Sequence, residues 1–219
     1  MGEMSHTRQP RSDTRWLNRT VLGIGLASLF SDWSHEIATT VMPAFMASMG
    51  AASAWLGLIE GLSDGLSSFA KMASGFYTDR LARRKKIAVL GYLITTLGTG
   101  SIGLAVSAWH VLIARSFAWL GRGVRTPVRK ALLASAVTRE TYGRAFGFER
   151  MMDTCGAIVG PASAVVLLAA VNHHYPTLFA WTLVPGLLAA VLIALVVVEK
   201  DRQPLQPRTT AAVSALPAE

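Results

Sequence analysis

The chain carries a single cysteine, Cys155, among its 219 residues. One cysteine excludes an intramolecular disulfide and a cysteine-rich metal site. Charge is also scarce, at 16% of residues, against about 25% in soluble globular domains. Hydrophobic residues make up 52% of the chain, and its mean hydropathy is +0.40. That balance argues for a multi-spanning membrane protein. Enzyme frameworks are missing as well. No Gly-x-Ser-x-Gly elbow and no His-Glu-x-x-His zinc helix occurs. His173 and His174 are adjacent on a loop, a poor metal pair without further ligands. No enzymatic activity, cofactor or metal is therefore expected. The opening residues, "MGEMSHTRQPRSDTRWLNR", lack a short apolar core with a small-residue cleavage site. The first membrane helix is expected to direct insertion.

What is present is a series of apolar stretches. A membrane helix needs about 20 mostly apolar residues. Six segments meet that length, at 20–48, 53–77, 86–107, 109–136, 142–171 and 177–198. Residues 1–19 read as a cytoplasmic N-terminal tail and 20–198 as one six-helix domain. Residues 199–219, rich in Pro, Ala and Thr, read as a disordered cytoplasmic tail. The formal charge of +8 does not point to nucleic acid, because the basic residues fall in short clusters between apolar stretches. Arg8, Arg11, Arg15 and Arg19 precede the first span, "DRLARRKK" follows the second, and Arg129, Lys130, Arg139 and Arg144 surround the fourth connection. The intervening connections "SMGAAS", "SAWH" and "NHHYPT" hold no Lys or Arg. By the positive-inside rule both termini are cytoplasmic.

Charges inside spans are costly, about 2.5–3.5 kcal/mol each at a helix centre, and normally face a bundle interior or water. The first span holds Asp32 and Glu36; the second Glu60, Asp64 and Lys71; the fourth Arg115, Arg122 and Arg125; the fifth Glu149, Arg150 and Asp153. The third and sixth hold none. The order polar, polar, apolar occurs twice, in two three-helix units that start on opposite sides of the membrane. That is the pattern of a 3+3 inverted repeat. Helices one, two, four and five should enclose something polar, with three and six facing lipid. Asp32 and Glu36 share a face, as do Arg115 and Arg122 with Trp119 between them. Glu60, Lys71, Glu149 and Arg150 lie nearer helix ends or beside obvious partners and also suit plain registry pairs. Asp32 and Arg115 lie further from the ends and read as functional.

Residues 75–84, "GFYTDRLARR", resemble the Gly-x-x-x-Asp-Arg-x-Gly-Arg-Arg signature of the major facilitator superfamily. Gly75, Asp79, Arg80, Arg83 and Arg84 match, with Ala82 in place of the second glycine. Gly147, Gly156, Gly160 and Pro161 resemble that superfamily's antiporter motif, with Ala164 replacing its last glycine. "IARSFAWLGRG" resembles its fourth-helix signature, although the spacing from Arg115 to Gly121 is longer than usual. The resemblance covers residues 20–198 and is to a bacterial branch. It implies an all-α membrane protein forming the N-terminal six-helix half of a twelve-helix transporter, in the bacterial inner membrane. It also implies a cytoplasmic latch at Gly75, Asp79, Arg80, Arg83 and Arg84. Gly75 would let neighbouring helices approach closely.

The function expected from residues and resemblance together is secondary transport of a small molecule, by proton-coupled efflux. Asp32, Glu36, Glu60, Asp64, Arg115, Arg122 and Asp153 are the candidate substrate and proton residues. Asp32 leads them as the proton carboxylate, with Arg115 as the partner that tunes it. The expected partners are lipid bilayer, substrate and protons, and a second six-helix half or a second copy. The alternative is a truncated, non-transporting product or a helical partner subunit.

Overall fold

The computed structural model describes residues 16–78 and 83–199. Among these the regular structure is helical, with no strand. Helix α1 spans Arg19–Ser48, α2 Ala54–Thr78, α3 Arg84–Ser101, α4 Ala108–Ser135 and α5 Tyr142–Ala170. A sixth unit is broken in two, α6 at Tyr175–Trp181 and α7 at Leu183–Leu195. Three stretches are long and apolar enough to cross a membrane: Arg84–Leu104, Arg139–Ala170 and Tyr175–Leu195. Helices α1, α2 and α4, with 30, 25 and 28 residues, are also long enough at about 1.5 Å per residue. They are less apolar because they carry the internal charges.

Local chemistry explains the helix ends. Asn18 caps α1 by accepting from the N–H groups of Thr20 and Val21, both at 3.0 Å. Its side-chain amide donates to the Ala136 carbonyl at the end of α4, at 2.7 Å. One residue thus ties the start of α1 to the end of α4. At the same end, Thr20 bonds Val198 in both directions. Glu199 accepts from the N–H groups of Arg84 and Lys85, at 2.8 and 3.3 Å. A carboxylate there satisfies free donors of α3 and complements its dipole. Glu199, expected from sequence to open a disordered tail, holds the first amides of α3, which follow its N-cap residue Arg83. At the opposite end α1 turns at Gly50, whose φ of 70° suits a residue without Cβ.

Packing follows small residues. Helix α1 lies along α5, α4 lies between α2 and α3, and α7 fills the angle between α1 and α3. Exchanging the first three spans for the last three maps this pattern of neighbours onto itself. A Cβ on Gly156 would overlap the Leu29 carbonyl and the Trp33 amide of α1. A Cβ on Gly98 would come within 2.8 Å of the Ala118 backbone of α4. The two helix pairs therefore pack backbone against backbone. Two apolar clusters result. One holds Val21, Ile24, Tyr92, Val128, Leu132 and Ile193. The other holds Ile37, Met42, Phe45, Ile102, Val111 and Phe179. Between them, on α1 and α4, lies a polar layer. At the break between α6 and α7 the Thr182 carbonyl accepts both from the Gly186 N–H at 3.2 Å and from the Ser34 hydroxyl of α1 at 2.8 Å.

The third and sixth spans, expected to face lipid, expose Leu90 and Leu97 on α3 and Leu188 and Leu195 on α7. Helices α3 and α7 pack on one another and on α1 and α4. The apolar window of α5 is 17% buried, against 50% for that of α3. Helices α2 and α5 are more open still, with Phe69, Met72, Ile158 and Val166 exposed.

Candidate functional site

The polar layer is organised by one face of α4. Arg115, Arg122 and Arg129 recur every seven residues, so they stack along one side of the helix. Each reaches a different helix. Arg115 meets Glu60 of α2 at 2.9 Å and donates to the Thr39 hydroxyl of α1 at 3.1 Å. Arg122 meets Asp32 of α1 at 3.2 Å. Arg129 meets Glu149 of α5 at 2.5 Å and approaches Asp153 at 3.9 Å. It also donates to the Ser28 hydroxyl at 2.8 Å and to the Tyr92 hydroxyl at 3.4 Å. One helix face is thereby fastened to three neighbours through charge.

Aromatic rings support the ladder. Trp119 sits between two of its cations, with Arg115 5.4 Å and Arg122 5.3 Å from the ring centroid, inside the ~6 Å range of cation–π attraction. Buried His35 packs edge-on against the same ring at 5.2 Å. Arg125 lies on the Tyr92 ring at 4.0 Å and is almost wholly buried.

The sequence pairing of Asp32 with Arg115 is corrected here: Asp32 holds Arg122, and Arg115 holds Glu60. Both belong to α4, but Arg115 lies two turns further toward the opposite end, beyond the reach of Asp32. Asp32, Arg122 and Asp153 line one polar cavity of about 190 Å³ between α1, α2, α4 and α5. Asp153 also receives Arg150 at 3.1 Å. Glu36 is half-buried and makes no ion pair among the described residues; a Cβ on Gly160 would overlap it. Asp64 is exposed on α2, apart from the cavity. A larger groove of about 580 Å³ lies between α1, α5 and α7, lined by Trp33, Ile158, Trp181 and other apolar residues. It lacks the charged groups of the site.

The latch residues are only partly covered. Asp79 and Arg80 lie outside the described residues. Arg83 is exposed and precedes α3. Arg84 donates from Nε to the Thr78 carbonyl at 3.1 Å. Around Gly75 a Cβ would meet nothing within 4 Å among the described residues. The same is true of Gly147, whereas Gly156 and Gly160 do bring α5 onto α1. Pro161 lies inside α5. No cluster of three or more His, Cys, Asp or Glu able to hold a metal occurs among the described residues.

Sequence reasoning placed Arg129 in a basic loop and passed over its role. The signal was the seven-residue step from Arg122, one repeat beyond Arg115. Tyr92 had no comparable signal, whereas His35 lies three residues from Asp32 on the polar stretch of α1 and was passed over.

The family model for the Major Facilitator Superfamily matches residues 24–218. The chain belongs to the major facilitator superfamily. It is a multi-pass membrane protein of a transporter family. An uncharacterised MFS-type transporter of Methanocaldococcus jannaschii is 29% identical over 196 residues, covering 90% of this chain and 48% of that protein. The multidrug resistance protein MdtH of Citrobacter koseri is 29% identical over 109 residues, covering 48% of this chain and 27% of that protein. The chain spans about half the length of the first of these. Among solved structures, a bacterial homologue of the human lysosomal transporter Spinster, inward-facing and unoccupied, aligns with a TM-score of 0.74 at 17% identity. It covers 93% of this chain and 48% of that one. A peptide transporter, POT, in complex with alafosfalin aligns with a TM-score of 0.69 at 16% identity, covering 89% and 43%. At such identities the likeness concerns the fold.

Proposed function

We propose that this six-helix unit is the N-terminal half of a secondary transporter that moves a small molecule in exchange for protons, outward from the cell. The observation that carries the reading is the Asp32–Arg122 pair, which lies in the polar layer and lines the central cavity. Asp153 lines the same cavity as Asp32, and two carboxyls sharing one site can hold one proton between them. A carboxylate that changes partners as the cavity changes solvation can load and release that proton. In this reading Arg122, rather than Arg115, is the group Asp32 leaves when it takes the proton.

The antiporter-like run Gly147, Gly156, Gly160 and Pro161, together with the similarity to MdtH, supports export over import. The charge alternation of the connections supports a bacterial inner-membrane location with both termini cytoplasmic. The exchange symmetry of helix neighbours supports the 3+3 repeat. The exposed apolar flanks of α2 and α5 support a second six-helix half, or a second copy, as the other wall of the cavity. Should neither exist, the unit is a non-transporting module.

The test is flux in proteoliposomes with an imposed pH gradient, using the assembled protein. Asp32→Asn should leave membrane insertion intact and abolish proton-linked flux. Wild-type flux by that variant would remove Asp32 from the mechanism.

A further inference from the structure

The cavity carries a charge imbalance that proton exchange does not explain. Its carboxylates are Asp32, Glu149 and Asp153, and each is already held by an arginine. Its cations are twice as many: Lys71, Arg122, Arg125, Arg129, Lys130 and Arg150. Among the described residues no ion pair involves Lys71, Arg125 or Lys130. Arg125 is the informative one. It is 2% exposed, and its Nη1 is buried without a hydrogen-bond partner. Nη1 of Arg122 and Nε of Arg129 are buried and unpartnered as well. Those three nitrogens are closed off from solvent, but Arg122, Arg125 and Arg129 all line the cavity, and guanidinium groups with unspent donors match the planar or tetrahedral oxygens of a carboxylate or a phosphate. A buried cation without a counter-charge is unfavourable, and an incoming anion would remove that penalty.

We propose that this cavity is an oxyanion site, taking a small phosphate-type or carboxylate anion against Arg125, with Lys71 at its rim. A volume of about 190 Å³ suits a compact anion rather than a drug-sized molecule, since pockets for the latter run about 300–1,000 Å³. The transport reading is needed only to call this anion cargo; binding stands or falls separately. The anion's oxygens have two possible sources, a free ion or the phosphate of an anionic lipid.

The experiment is equilibrium binding to the purified full chain in uncharged detergent, read by tryptophan fluorescence. Inorganic phosphate and malonate are titrated against sodium chloride at matched ionic strength. Saturable binding by either probe beyond the chloride control is expected. It should weaken at least tenfold in Arg125→Gln and several-fold in Lys71→Gln, which alters an exposed residue and keeps the comparison valid if the first variant misfolds. Repetition in nanodiscs separates the sources. Competition by phosphatidylglycerol, with none by phosphatidylcholine, assigns the site to a lipid headgroup; undiminished binding in both assigns it to a free ion. No saturable binding by folded protein, or a response equal to that of chloride, overturns the proposal. Binding without any flux in proteoliposomes would overturn the transport reading alone.

Discussion

Arg129 of α4 and Glu149 of α5 meet at 2.5 Å inside the bundle, and the Ser28 hydroxyl of α1 bonds both of them. Three helices converge on that one pair. Removing one member of a buried pair leaves the other uncompensated, at a cost of about 3–5 kcal/mol. Arg129→Ala should fall in that range, since it strips both Glu149 and Asp153. Glu149→Gln should cost less, because Asp153 still faces Arg129. Thermal unfolding in detergent, followed by circular dichroism, measures the difference.

The partner exchange on α4 is open to a double-mutant cycle. Asp32 and Arg122 should couple by on the order of 1–3 kcal/mol, as contacting residues do. Asp32 and Arg115 should couple by less than about 0.5 kcal/mol, as separated residues do. A large Asp32–Arg115 coupling would restore the pairing suggested by sequence.

Glycines of one motif should respond differently. Gly156→Ala places a methyl group against the Leu29 carbonyl and the Trp33 amide, and overpacking of this kind costs about 1–3 kcal/mol. Gly147→Ala and Gly75→Ala meet open space among the described residues. Both should be neutral or slightly stabilising, because helix propensity favours alanine over glycine by about 1 kcal/mol. Melting temperatures of the three variants decide the matter.

Glu199→Ala should loosen the start of α3. Loss of a cap costs about 1 kcal/mol. The local readout is faster hydrogen exchange at the Arg84 and Lys85 amides, which donate to this carboxylate. Glu199→Gln should recover part of the protection, since an amide oxygen still accepts.

Much of this architecture was legible in the sequence. The long apolar runs marked the helices, because backbone polarity must be satisfied within each helix in lipid. Internal charges marked the helices that build the polar layer. Spacing, however, fixes only which residues share a face of one helix. It does not say which neighbour that face meets, and so Asp32 was matched to the wrong arginine. The break at Thr182 had a signal that went unused: Pro185 lacks the N–H that would bond the Trp181 carbonyl. Glu199 lay in a polar, proline-rich stretch whose composition carries no trace of the helix end it serves.

The arginine ladder also bears on how the chain is built. On the insertion scale a central arginine costs about 2.5–3.5 kcal/mol, and Arg122 lies near the middle of α4 with Arg115 and Arg129 adding smaller costs toward its ends. Helix α4, long enough to span but less apolar than α3 and α5, is a poor candidate to leave the translocon alone. Glu60 and Asp32 precede it in the chain and would already be waiting in the bilayer. Glu149 and Asp153 arrive only when α5 is made. Biogenesis should therefore stall at α4 until α5 emerges, so that the last-made carboxylates complete the membrane entry of a helix synthesised before them. A glycosylation-reporter fusion truncated after α4 should insert poorly, and one extended through α5 should insert well.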